Sequence, residues 1–248
     1  MLVFFQVIYV ALGLSVAFYA ATTRKRMLHA FTLAFAANVF PLALMPYMSM
    51  DEARFLGVPL AYIPIAAAGL VFILRSPSIN RSNNVLCVMC CIFVVYITFN
   101  GFYQRFLFGT IVYYLSWIFN FLLLLTVYSY FSKVDVNVAG GVLRVFFKVL
   151  IAACLVGWFR YAAGISPDAN FMPMVNRNGT VVFLVMAAPL LFYVKQTKEI
   201  SLTKFLIFWV IIVLTLLLMQ SRSGVLGFIF ITLIYFSRPN IKSILASI

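Results

Sequence analysis

Five consecutive residues, Gln220-Ser221-Arg222-Ser223-Gly224, set a guanidinium between two hydroxyls inside a stretch otherwise uncharged from Phe205 to Phe236. Four more, Asn176-Arg177-Asn178-Gly179, set a second guanidinium between two carboxamides just before the apolar run Val181 to Val194. Guanidinium groups suit bidentate contact with phosphate or carboxylate. An arginine at the centre of a lipid-facing helix costs about 2.5–3.5 kcal/mol, so each must reach water, a headgroup or an anion. Each also stands where a helix is expected to begin, and helix starts present backbone N–H groups and the positive end of the macrodipole. Asn178 is expected to cap the first of these helices, and Ser221 or Ser223 the second. Brought together, the two ends would bind a diphosphate. Taken as a pattern alone, two interfacial arginines that merely terminate spans fit equally well.

The remaining polar residues carry less chemistry. Arg54, Arg105 and Arg160 are read as ordinary interfacial arginines, and Asp51, Glu52 and Asp168 have no spacing that pairs them. His29 is read as structural. Cys87, Cys90 and Cys91 lie in the apolar run Val85 to Phe102 with no polar ligand nearby, so the Cys-x-x-Cys spacing is read as small residues on a helix, not as a metal or redox site. Asn178-Gly179-Thr180 matches a glycosylation sequon, which is set aside. The sequence shows no nucleotide loop, zinc motif, nucleophile elbow or catalytic triad. The reading therefore calls for no metal and no cofactor, and any group transfer would draw on an already activated donor.

The elements that must position these residues are set by composition. Of 248 residues, 65% are hydrophobic and 9% charged, against roughly 25% charged in a soluble domain, and mean hydropathy is +1.11. The expected fold is all-α, a polytopic transmembrane helical bundle forming one integral membrane domain over residues 1–248. A span needs about 20 apolar residues. About nine candidates occur, with eight to ten compatible: Leu2–Ala21, Met27–Met48, Leu56–Leu74, Val85–Phe102, Phe106–Phe131, Val142–Phe159, Gly179–Val194, Phe205–Gln220 and Ser221–Phe236. The first lacks a basic leader and cleavage site and is read as a retained span. Trp158 falls at a span end, as an interfacial anchor would. Pro167, Asp168 and Pro173 mark turns in the connection from Arg160 to Asn178.

A formal net charge of +13 would suggest nucleic acid in a soluble chain; here the basic residues fill short connections, so no nucleic-acid partner is expected. Arg24, Lys25, Arg26, Arg75, Arg81, Lys133, Arg144, Lys148, Lys195, Lys198, Lys204, Arg238 and Lys242 fall on one side. Arg54, Arg105, Arg160, Arg177 and Arg222 fall on the other, accounting for all 18. The positive-inside rule makes the larger set cytoplasmic, with the N-terminus outside and Ile248 inside. The smaller set contains only arginine.

The order Asn176-Arg177-Asn178, an apolar helix containing Pro189, a basic turn, and an apolar helix ending in Ser221-Arg222-Ser223-Gly224 resembles the core of the O-antigen ligase and O-antigen polymerase superfamily. The resemblance is concentrated in Asn170 to Phe236. It implies a glycosyltransferase of lipopolysaccharide or other surface-polysaccharide assembly in the bacterial inner membrane, with a periplasmic N-terminus. Such an enzyme moves glycan from undecaprenyl diphosphate to another lipid-linked repeat (polymerase) or to lipid A-core (ligase). Carried over by position, Arg222 would be catalytic, stabilising charge on the donor diphosphate, while Arg177, Asn176, Asn178, Ser221 and Ser223 would line the substrate cavity. The implied partners are the lipid-linked glycan, the bilayer, and chain-length regulators or other assembly proteins. Family members continue through a large periplasmic loop and further spans, so this chain is expected to be the N-terminal part of a longer protein. Two other readings are a transporter or lipid-linked glycan flippase, and an inactive truncated remnant.

Overall fold

The computed structural model describes residues 2–22, 24–40, 54–55, 58–60, 62–75, 88–89, 91–96, 99, 118–120, 122–123, 125–126, 136–172 and 177–236. Seven helices run through the longer of these segments: α1 (Leu2–Thr22), α2 (Arg24–Val39), α3 (Tyr62–Arg75), α4 (Val136–Ala162), α5 (Arg177–Gln196), α6 (Leu202–Leu218) and α7 (Arg222–Phe236). The chain is a membrane protein by the character of these helices. Three, over Val3–Thr22, Val138–Ala162 and Arg177–Gln196, are long and apolar enough to cross a bilayer; four shorter ones are apolar. Their outward faces are as apolar as their buried ones: Met186 is 69% exposed, Leu226 68% and Phe230 64%. A helix apolar all round is matched to hydrocarbon rather than water.

The helices arise where the apolar runs predict them, with three differences. The third span is expected from Leu56, but Arg54–Phe55 and Val58–Pro59 form a short antiparallel pair, with Arg54 opposite Pro59 and Phe55 opposite Val58. Helix begins only at Tyr62, because Gly57 and Pro59 are the weakest helix formers available. At the other extreme, α4 starts six residues before the expected Val142. The described helix α2 ends at Val39, and the rest of the expected span to Met48 lies outside the described residues. So do Pro41, Cys87, Cys90 and most of the expected fourth and fifth spans, of which residues 91–96 and 118–120 are helical.

The chain divides into two compact units, Met1–Asn38 with Met48–Ala139, and Val39–Tyr47 with Gly140–Ile248. In the first, α1 packs on α3 where a Cβ on Gly13 would lie 2.8 Å from Ile63 Cγ2. Small residues Val16, Ala20, Ala30, Ala34 and Ala68 form the seam, the composition that lets helices approach closely in membranes.

The second unit is built on three tight ends. Ile165 N–H bonds the Arg160 carbonyl and Gly164 N–H the Tyr161 carbonyl; Glu199 bonds Val194 and Lys198 bonds Lys195; Ser221 bonds Leu216 and Gln220 bonds Leu217. Each is a Schellman turn, which satisfies the last carbonyls of a helix. Gly164 takes the left-handed position in the first, at φ 69°, while Lys198 at 59° and Gln220 at 53° take it in the others.

Between these turns α5, α6 and α7 run up, down and up. Phe192 of α5 packs on Phe205 of α6 with centroids 5.5 Å apart. Trp209 of α6 lies against Phe228 and donates its Nε1–H to Thr232 Oγ1 at 3.0 Å. Trp158 of α4 donates in the same way to Thr215 Oγ1 of α6 at 2.9 Å. Both threonines also donate to the carbonyl four residues back on their own helix, at 2.7 Å from Thr215 and 2.8 Å from Thr232. Trp158 therefore ties two helices together, where its position in the sequence suggested a lipid anchor. The buried indole N–H has to find an acceptor, and a helix-bound threonine provides one.

Candidate functional site

Helices α5 and α7 run parallel and in contact. A Cβ on Gly224 would lie 2.6 Å from Val181 Cγ1, and near the far ends Phe192 and Tyr235 stack with centroids 4.1 Å apart. Each pair is separated by the same 43 positions, so the register holds along the whole contact. This register brings the two helix starts to one level. Arg177 precedes Val181 by four residues and Arg222 precedes Gly224 by two, so both arginines leave their helices within about 6 Å of that contact along the axis. Packed helix axes lie about 8–10 Å apart. The two N-termini, with their charges and dipoles, therefore open at the same end of the unit.

Of the sequence-derived site residues, Ser221, Arg222 and Ser223 are at the start of α7, and Arg177 and Asn178 in the first turn of α5; Asn176 lies outside the described residues. The caps differ from expectation. Ser221 is the cap of α7, its Oγ accepting from Gly224 N–H at 3.1 Å, while Ser223 is one turn in and exposed. Helix α5 already includes Arg177, so Asn178 is an exposed first-turn residue and not the cap. With Ser221 accepting from Gly224, the N–H groups of Arg222 and Ser223 remain at the helix positions that have no intrahelical acceptor. They face the end where Arg222 itself is exposed.

Two features of this end were not apparent from sequence. The first is Arg160, 1% exposed in the last turns of α4 and among the largest fully buried side chains. It was read as an ordinary interfacial arginine. The loop after α4 folds back: a Cβ on Gly157 would collide with the Ala169 carbonyl and lie 3.2 Å from Phe171 Cβ. Arg160 interacts with its surroundings, and its Nε and Nη2 are buried nitrogens outside those hydrogen bonds. The second is Asn170, whose Oδ1 accepts from Met172 N–H at 3.0 Å and from Thr180 Oγ1–H at 2.9 Å. The preceding turn is formed by Asp168 Oδ1 accepting from Asn170 N–H at 3.0 Å, as the turn signal at Asp168 predicts. Buried Asn170 thus fastens the loop to the first turn of α5, where Thr180 is wholly buried.

The end that holds Arg160, Arg177 and Arg222 has one described carboxylate, Asp168, already committed to its turn. The opposite end holds Lys195, Lys198 and Lys204, with Arg144 paired to Glu199 at 3.1 Å. Among the described residues no group of histidine, cysteine or carboxylate could hold a metal ion, and Cys91 and Cys154 are free thiols.

Asn170→Ala removes one acceptor and strands two donors, Met172 N–H and Thr180 O–H. At about 1–3 kcal/mol for a buried polar group left unmade, the variant should melt clearly below wild type in detergent. Thr180→Val should add little further loss on top of it. Full additivity of the two losses in a double-mutant cycle would show that the contact is not shared.

Comparison with protein-family models, with curated proteins and with solved structures finds no match to this chain.

Proposed function

We propose that this chain is a membrane glycosyltransferase of surface-polysaccharide assembly, which polymerises or ligates glycan carried on undecaprenyl diphosphate. The observation that supports it is the parallel register of α5 and α7, which levels two arginine-bearing helix starts at one end. Phosphate is the anion such an end suits, through guanidinium forks and outward N–H groups acting together. A lipid-linked diphosphate reaches this depth by its own anchor. The resemblance of Asn176-Arg177-Asn178 and Ser221-Arg222-Ser223-Gly224 to the O-antigen ligase and polymerase superfamily names the reaction.

In that reaction an acceptor hydroxyl attacks the anomeric carbon of the donor sugar. The new glycosidic bond forms as the sugar–phosphate bond breaks, undecaprenyl diphosphate departs, and the hydroxyl proton is released to water. Negative charge grows on the departing phosphate. Arg222 stabilises that charge most directly, with Arg177, Asn176, Asn178, Ser221 and Ser223 lining the cavity and Arg160 adding a positive potential from beneath. This reading places the arginine end at the periplasmic face of the inner membrane and the lysine end in the cytoplasm, within a topology of about nine spans and a periplasmic N-terminus. Its partners are the lipid-linked glycan and the assembly proteins that set chain length.

The test is reconstitution of the full gene product in vesicles with undecaprenyl-diphosphate-linked glycan and acceptor. Transfer appears as longer or acceptor-linked glycan on a gel. Movement of labelled donor across the vesicle with no new glycosidic bond would replace this proposal with a flippase.

A further inference from the structure

A second place joins apolar walls to a held cation. The α1–α2 hairpin carries an open groove of about 540 Å³, walled by Leu14, Phe18 and Leu33 and ending at Tyr19, Thr22 and Arg26. Leu14, Phe18 and Leu33 are all exposed to the surroundings. At the polar end Arg26 is pre-oriented. Its Nη1 donates to Thr22 Oγ1 at 3.2 Å, and its guanidinium lies over the Tyr19 ring, 5.5 Å from the centroid. Thr22 Oγ1 donates in turn to the Tyr19 carbonyl at 2.7 Å. A guanidinium has five N–H donors, and a ring beneath one face leaves its edge open to an incoming oxygen.

The charge here has no counterpart in the adjoining sequence. Arg24, Lys25 and Arg26 are consecutive, and the first carboxylate in the chain is Asp51. Helix α2 begins at Arg24 with no acidic residue in its first turn, so the helix dipole opposes these cations instead of offsetting them. The complement of a cationic end joined to an apolar trough is a molecule with an anionic head and a hydrocarbon tail.

We propose that this groove is a binding site for an anionic phospholipid, its phosphate on Arg26 and one acyl chain along Leu14, Phe18 and Leu33. The site goes beyond the transferase reading and depends only on the membrane character of the chain. It holds a structural lipid at the turn between α1 and α2, and it discriminates by headgroup charge, because the acyl groove is common to all phospholipids.

The experiment is native mass spectrometry of the full chain in detergent after exchange with phosphatidylglycerol or phosphatidylcholine of identical acyl chains. Wild type should retain phosphatidylglycerol about fivefold better, the discrimination one basic residue gives near a membrane surface. R26Q should erase the difference and R26K keep most of it. L14W, which fills the trough and leaves Arg26 in place, should lower retention of phosphatidylglycerol. Equal retention of the two lipids by wild type overturns the proposal without reference to any variant. So does undiminished preference in R26Q, or release of the lipid by millimolar inorganic phosphate, which would indicate a bare anion site. If R26Q does not fold, the wild-type comparison and L14W decide.

Discussion

Arg222→Ala in the full gene product should lower glycan transfer by about 10²- to 10³-fold, the usual cost of removing one donor aimed at developing transition-state charge. The protein should insert and accumulate normally, because Arg222 is exposed at a helix start and the α7 cap is Ser221, not the arginine. Arg222→Lys restores a positive charge but loses the planar fork, so recovery should be partial. Surface polysaccharide on a gel and protein in the membrane fraction give both readouts. Near-normal polysaccharide from the alanine variant would remove Arg222 from the reaction. Unchanged transfer in Arg222→Lys would mean that charge alone is used there.

The second large effect is expected at Gly224, a buried position on which the α5–α7 register turns. A methyl group there would stand 2.6 Å from Val181 Cγ1, 2.8 Å from Ser221 Oγ and 3.1 Å from Leu216 Cδ2. It therefore pushes on α5, on the cap of its own helix and on α6 at once. Overpacking of this kind costs about 1–3 kcal/mol, and here the strain also parts the two arginine-bearing ends. Gly224→Ala should melt lower than wild type and lose transfer together. Gly227 is the control, since its added methyl would meet Val185 at an ordinary 3.5 Å. Gly227→Ala should be neutral or gain up to about 1 kcal/mol from helix propensity. If the two alanine variants melt alike, the close approach at Gly224 is not what sets the register.

Much of this architecture could be read from sequence because a bilayer leaves the backbone few options. The apolar runs at Leu2, Gly179 and Phe205 became helices within a few residues of their expected limits, and Asp168 made the turn its position suggested. What could not be read depends on neighbours. The level starts of α5 and α7 depend on Gly224 admitting Val181, a contact between residues 43 positions apart. Arg160 looked like any arginine at a span end; its burial depends on Gly157 letting the Ala169 segment lie against α4. Trp158 looked like an anchor because sequence shows the indole but not the threonine that receives it. Local signals locate elements, whereas long-range packing decides which of their polar residues meet.

The turn before Arg222 has a mechanical consequence. Ser221 closes α6 by donating to the Leu216 carbonyl and opens α7 by accepting from Gly224. One residue serves both ends, so there is no slack between the two helices. Gln220 holds a left-handed conformation that costs a non-glycine residue about 1–2 kcal/mol, which the two helix ends on either side must offset. The joint therefore behaves as a rigid elbow, and tilting α6 carries Arg222 with it as a lever carries its tip. Donor entry and product escape at this end must then be accommodated by the more yielding 163–172 connection and by side-chain rotation, while the arginine's mounting stays fixed.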